Sequence, residues 1–247
     1  MEVLPVYEVN VGWMYPNLLN LHGETGSAKA LMAIGNNLGI HMNMQRIEDF
    51  DDPVPYKDLD LLLFLPGEIS MFPNLMSGLL KQKQDLENYV NHGGYVLAIG
   101  TTGLMFGKSI LRENGSSMKC LGLLEMAAAE RKYVWGNDLH FRVNGTMQEL
   151  TGSQIQMADV KAAHPLGTTI YGMGNDNTGA EGAREKNLIY TNCLGPLFVK
   201  NPWFAESILK DICLQKYLGI HQQKPHTLAC NSFDSTLSFI AGKPKKA

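Results

Sequence analysis

The run Gly93-Gly94-Tyr95-Val96-Leu97-Ala98-Ile99-Gly100-Thr101-Thr102-Gly103-Leu104-Met105-Phe106-Gly107 constrains the fold more than any other part of the chain. Gly93-Gly94 follows a helix-like stretch and reads as its stop, because glycine adopts the left-handed backbone that ends helices without a Cβ clash. Tyr95 to Ile99 is unbroken and apolar, the pattern of a strand covered on both faces. A tight turn and a new helix are predicted after it. Many α/β enzymes hold a nucleophile in such a strand-turn-helix frame. At the turn, where Cys or Ser would stand, this chain has Gly100.

The segments upstream follow the same alternation. Val3 to Val11 reads as a strand, and Met14 to Gly26 as a loop. A helix is expected from Ser27, as N-cap, to about Leu38, with Gly39 as its stop. Ile40 to Ile47 and the nearly unbroken apolar Leu59 to Leu65 read as strands, and Leu75 to Val90 as one helix with a core stripe of Leu79, Leu80, Leu86 and Val90. Strand and helix in alternation imply a doubly wound, mostly parallel α/β sheet.

The second half is less regular. Glu130 to Val143 and Gly152 to Ala163 read as antiparallel strands or hairpin pieces, and Leu188 to Asn192 as a short strand. A helix is expected from Asn201-Pro202 to about Leu218, proline being favourable at a first helical position. The mixed, proline-containing residues 220–247 are expected to wrap the surface. With no repeat and no linker, residues 1–247 read as a single domain.

Composition removes several classes of function. The formal net charge of −3 carries no block that would hold nucleic acid or an anionic membrane. The one basic cluster, Lys243, Lys245 and Lys246, reads as a solvated tail. No apolar run approaches the roughly 20 residues of a membrane span, and the N-terminal residues do not read as a secretion signal. Cys120, Cys193, Cys213 and Cys230 lack CxxC spacing, so neither a zinc site nor a disulfide framework is expected. These features imply a cytoplasmic location, with no metal and no cofactor.

Several segments together resemble the class I glutamine amidotransferase superfamily, whose fold is flavodoxin-like, and within it the GatD branch of cobyric-acid-synthase-like proteins. The resemblance rests on Tyr15-Pro16-Asn17-Leu18-Leu19-Asn20 with Gly23 and Gly26, and on the strand from Asp58 to Gly67. It continues through His92-Gly93-Gly94 into Ala98-Ile99, and through Gly122-Leu123-Leu124-Glu125. The best-matching part is Gly172-Met173-Gly174-Asn175-Asp176, Glu181-Gly182-Ala183-Arg184, and Gly195-Pro196-Leu197 to Lys200-Asn201-Pro202. The resemblance implies a subunit that supplies ammonia to a Mur-ligase-like partner, MurT, which amidates the glutamate of the cell-wall precursor lipid II. It also implies a mechanism. A Cys at the turn attacks the glutamine amide, a His activates it and protonates the leaving ammonia, and backbone N–H groups of a Gly-rich loop hold the oxyanion.

At each of those positions this sequence departs from the family. Gly100 stands at the nucleophile position. Leu194, in Tyr190-Thr191-Asn192-Cys193-Leu194-Gly195-Pro196, stands at the base position, and an isobutyl group moves no proton. The oxyanion loop reads Leu65-Pro66-Gly67-Glu68: Pro66 has no N–H, Glu68 adds a negative charge, and only Gly67 remains of the glycines. The resemblance therefore implies a catalytically degenerate subunit, structural or regulatory rather than hydrolytic. Two alternatives stay open. The subunit could act through another nucleophile, Thr101 or Cys193, or it could sense a small ligand in a pocket enlarged by Gly100 and Leu194. Gly67, Thr101 and Arg131 are the candidate ligand contacts, Arg131 as the anion partner of glutamine or another small amino acid.

Other residues carry paired readings. His22 and Glu24 read as a solvated loop pair or as groups near a partner's substrate. Glu181 and Arg184 read as an ion pair or helix-end contact, or as ligand contacts bracing the base loop. His140 and His164 read as surface or hydrogen-bonded residues. Met71, Met76, Met105 and Met118 read as core filling or as an adaptable partner surface.

Overall fold

The two most apolar runs form the centre of the molecule. The structure, a computed structural model, describes residues 7–217 and 227–243. The first half contains β1 (Tyr7–Met14), α1 (Thr25–Asn37), β2 (Ile40–Ile47), β3 (Leu61–Phe64), α2 (Phe72–Lys81), α3 (Lys83–Asn91) and β4 (Tyr95–Ile99). A 3₁₀ segment, Gly100–Phe106, leads to β5 (Ser109–Leu111), β6 (Ser117–Lys119), β7 (Met126–Val143), β8 (Glu149–Ala162) and β9 (Gly167–Tyr171). Then come β10 (Ala180–Glu181), β11 (Ala183–Glu185), β12 (Leu188–Thr191), α4 (Leu197–Lys200), α5 (Pro202–Tyr217) and α6 (Thr227–Ala241).

One sheet has the order β11-β12-β4-β3-β1-β2, parallel throughout except for the antiparallel edge strand β11. Every residue of β3 and of β4 is buried, which is why both read as continuous apolar runs. Alternate side chains feed two cores, as the two-residue period of a strand requires. Leu61, Leu63, Leu97 and Ile99 pack with Leu31 and Ile34 of α1 and Ile208 and Leu209 of α5. Leu62, Phe64, Val96 and Ala98 pack with Leu75 and Leu79 of α2 and Leu86 of α3. The sheet is doubly wound, as expected.

A second six-stranded sheet is mostly antiparallel and is built around the long β7–β8 hairpin. The hairpin serves both cores. Met126, Ala128 and Val160 join the α2–α3 side, while Leu139, Phe141 and Leu150 join the α1–α5 side. Its ladder is interrupted between Glu130 and Trp135, which pair with Ala158 and Gln156, so residues 131–134 face the single residue Met157.

Some boundaries differ from the sequence reading. The helix expected over Leu75–Val90 is two helices that break at Gln82 (φ −99°, ψ 5°), whose side chain is held by Tyr56 Oη at 3.0 Å. Leu80 falls off the core stripe and is exposed. The helix after Gly100 is of the 3₁₀ type. Ser27 lies inside α1 and does not cap it; its hydroxyl donates to Glu24 at 2.6 Å. The first strand runs to Met14, and the part of its expected range before residue 7 lies outside the described residues.

Within the expected tail, Thr227–Ala241 is a helix. Phe233 packs edge-to-face on Trp203 with centroids 4.3 Å apart, and Ile240 is buried. Lys243 is not free in solvent: its ammonium pairs with Asp138 and lies over the Phe239 ring. Residues 218–226 and 244–247, with Lys245 and Lys246, lie outside the described residues. No helix among the described residues is long and apolar enough to cross a membrane.

Candidate active-site end of the parallel sheet

Gly100, Leu194 and the loop Pro66-Gly67 follow the C-terminal ends of β4, β12 and β3, which are neighbours in the parallel sheet. This is the edge at which open α/β sheets bind ligands. Gly100 has φ +69°, the left-handed region that glycine enters without penalty. The backbone at this turn is therefore the sharp frame inferred from the sequence.

The space in front of it is filled. A Cβ added to Gly100 would lie 2.9 Å from Pro66 Cγ, 3.1 Å from Pro66 Cβ and 3.2 Å from Leu194 Cδ2. Pro66, Gly67, Gly100 and Leu194 are all buried. Where an enlarged pocket was expected from a glycine and a leucine, the proline ring and the isobutyl group stand close against the glycine.

Thr101 closes the remaining polar opening. Its hydroxyl donates to Gly67 O at 2.5 Å and accepts from Gly67 N at 3.2 Å. The Gly67 N–H, the one oxyanion donor the sequence reading left, is thus already engaged. Thr102 donates to Ile99 O at 3.0 Å and is fully buried. Leu194 is fixed through its backbone, which exchanges both hydrogen bonds with Ser153 of β8 at 2.8 and 2.9 Å.

Two buried carboxylates hold the loop that carries Leu194. Glu24 is fully buried; it accepts from Gly195 N at 2.6 Å, Leu197 N at 3.1 Å and Ser27 Oγ at 2.6 Å. It thereby satisfies N–H groups at the start of α4, which otherwise have no partner inside the helix. Burial raises the Glu24 pKa, and these hydrogen bonds together with Lys200 oppose the rise. Glu181 accepts from Thr191 Oγ1 and Asn192 N, both at 2.8 Å, while its Oε2 is buried without a partner. Burial pushes the Glu181 carboxyl up to about 7.

The structure brings some of the sequence candidates together and separates others. Gly67 and Thr101 touch each other. Arg131 does not join them; its guanidinium pairs with Asp159 at 2.6 Å on the second sheet, with Met173 Sδ at 3.5 Å. Glu24 was read as solvated beside His22, but only His22 is exposed. Glu181 makes no ion pair with Arg184, whose Nε donates to Lys186 O. Cys193 is fully buried, and burial, with Glu181 and Glu24 nearby, pushes its pKa well up, so the sulfur stays a thiol.

Two further histidines, His140 and His164, are held by carboxylates. His140 meets Glu149 at 2.9 Å, and His164 pairs with Glu185. Met76 and Met105 are buried in the core, with Met71 and Met118 packed against it. Among the described residues no group of three metal-ligating side chains comes together. Sequence reasoning singled out Glu24 but not its role as a buried brace, because its partners lie 171 and 173 positions along the chain.

Relatives of known name place this geometry. No family model matches the chain. It is 23% identical over 219 residues to the lipid II isoglutaminyl synthase (glutamine-hydrolyzing) subunit GatD of Streptococcus pneumoniae (strain ATCC BAA-255 / R6), covering 85% of this chain and 83% of that protein. It is 22% identical over 215 residues to the GatD subunit of Staphylococcus aureus (strain N315), covering 85% and 87%. Among solved structures, a glutamine amidotransferase superposes with a TM-score of 0.52 at 14% identity, over 82% of this chain and 98% of that one. The chain is GatD-like in sequence, and its fold is that of the class I glutamine amidotransferases.

Proposed function

We propose that this chain is a GatD-like amidotransferase subunit that does not hydrolyse glutamine and acts as a structural or regulatory partner of a Mur-ligase-like protein. The setting of this reading is cytoplasmic cell-wall precursor metabolism, with residues 1–247 working as one domain. One observation carries it. A Cβ at position 100 would press on Pro66 at 2.9 Å and Leu194 at 3.2 Å at a positive φ, so the site lacks a sulfur and is tightly packed where one would attach. The loss of one oxyanion donor costs about 10²–10³ in rate, and loss of a nucleophile or base costs more. Here Gly100, Leu194 and the engaged Gly67 N–H stand for all three losses. The subunit role is supported by the relatives, both named as subunits of a lipid II isoglutaminyl synthase.

The two alternatives fit the geometry less well. Thr101 has its hydroxyl committed on both sides to Gly67, and no histidine is recorded as its partner. Cys193 is a buried thiol and not a thiolate. A ligand-sensing pocket at Gly100 would need the space that Pro66 and Leu194 occupy.

Glutamate release from glutamine, measured for the chain alone and with a Mur-ligase-like partner, tests the reading. Background release is expected in both cases. Turnover abolished by Thr101→Ala or Cys193→Ala would overturn it. Co-purification with a Mur-ligase-like protein from native cells tests the partner role separately.

A further inference from the structure

A second opening lies at the other end of the parallel sheet. A cleft of about 730 Å³ is bounded by residues 54–59, which precede β3, and by α3. Its helical wall consists of Asp85, Asn88, Tyr89 and His92, spaced three, one and three residues apart. That spacing places all four on one face of a helix. The facing wall carries Val54, Pro55, Leu59 and the Tyr56 ring, with Lys57 and Asp58 among them. Tyr56 and Tyr89 stand with centroids 5.7 Å apart and planes tilted by 50°.

The hydrogen-bonding inventory of this cleft is one-sided. His92 Nδ1 sits 2.7 Å from Asn88 O. A carbonyl can only accept, so Nδ1 carries the hydrogen and the neutral ring presents Nε2 as an acceptor. Asp58 and Asp85 each add an exposed carboxylate, and neither forms an ion pair among the described residues. Tyr56 spends its own hydrogen on Gln82 Oε1 at 3.0 Å. The donors in the lining are the Lys57 ammonium and the amide of Asn88, whose oxygen is taken by Gln84 Nε2 at 3.2 Å. Two carboxylates against one ammonium leave the cleft negative.

We infer that this cleft binds a small organic cation with a flat apolar body, an aryl amidinium or guanidinium in chemical class. The apolar part would lie against Val54, Leu59 and the Tyr56 ring, and the donor-rich cation would face Asp85, Asp58 and His92 Nε2. An aromatic face adds attraction for a cation, and a planar cation can meet a carboxylate with two parallel hydrogen bonds. The site is independent of the glutamine-site reading, since it shares no residue with Gly67, Gly100, Thr101 or Leu194.

The test is a titration of the ¹⁵N-labelled full chain with benzamidinium, with neutral benzamide as the matched arm. Saturable amide shifts confined to residues 54–59 and 85–92 are expected, with benzamide at least about tenfold weaker. Asp85→Asn should weaken benzamidinium by about tenfold and Tyr56→Leu by roughly threefold, while Asp51→Asn, outside the cleft, should change nothing. Asp85 is exposed, so Asp85→Asn keeps the fold and its spectrum reports that directly. Absence of saturable shifts, equal binding of benzamide, or undiminished binding by Asp85→Asn would each overturn the inference.

Discussion

The two ends of the parallel sheet have opposite characters. At the C-terminal end, Gly100 keeps the left-handed turn and Glu24 and Glu181 keep the Leu194 loop in place, yet the space between is packed with Pro66, Leu194 and the committed hydroxyl of Thr101. At the N-terminal end, the cleft beside α3 is open and its carboxylates face solvent. One sheet thus carries a left-handed turn packed against Pro66 and Leu194 at one end, and an open hollow lined by polar groups at the other. Shape and chemistry can separate: the frame of a reactive site outlasts its opening when a glycine holds the turn and apolar groups fill the gap.

The comparison breaks most readily at Glu24. Glu24→Ala strands the N–H groups of Gly195 and Leu197 and the hydroxyl of Ser27, and should cost roughly 4 kcal/mol in urea unfolding. A cost under about 1 kcal/mol would mean that the closed end is not held from below.

Gly100→Cys comes next. It puts a Cβ against Pro66 and Leu194 at a positive φ, and about 3 kcal/mol of destabilisation is expected from strain and overpacking together. The penalty should shrink when Leu194→Ala is combined with it, because the two sites share one volume. Strict additivity in that double-mutant cycle would show that the space is not shared.

Glu181 gives the pH dependence of the closed end. The native carboxyl holds its proton up to about 7, while the unfolded chain releases it near 4.5. The folded state therefore binds more protons between those values. Stability is fully present below the lower one and falls as pH rises through the window, by about 2 to 3 kcal/mol. Glu181→Gln should flatten that part of the curve, and an unchanged slope would assign it to another group.

The smallest effect belongs to the open end. Asp85→Asn touches an exposed carboxylate, and the free energy of unfolding should change by less than about 0.5 kcal/mol. A larger loss would mean that the cleft wall is structural, and the contrast between the two ends would weaken.

The parts legible in the sequence are those set by short-range pattern. β3 and β4 show as apolar runs because both of their faces are covered, and Gly39 marks the end of α1 because φ there is +75°. The turn at Gly100 was equally readable. What escaped depends on distant partners. Leu79, Leu80, Leu86 and Val90 kept helical spacing across a break that only Gln82 and Tyr56 explain. A signal for α6 was present in Phe233, Leu237 and Ile240, spaced four and three apart, but the proline upstream hid it. Glu24 looked solvated because nothing near it in sequence reveals a loop arriving from residues 195–197. At the site itself, the residue types at positions 66, 67, 100 and 194 could be read one by one. The closure of the resulting gap was not, since a glycine and a leucine suggest room until their neighbours are known.

The reach of Glu24 bears on how the chain is made. Its partners leave the ribosome long after it does, and β12, which must slot beside β4, is also late. Until those residues emerge, β4 lacks one of its two neighbours and an acid destined for the interior stays in water. Translation stopped before Leu188 should therefore give a nascent chain that holdase chaperones retain, with compaction arriving only in the final quarter of synthesis.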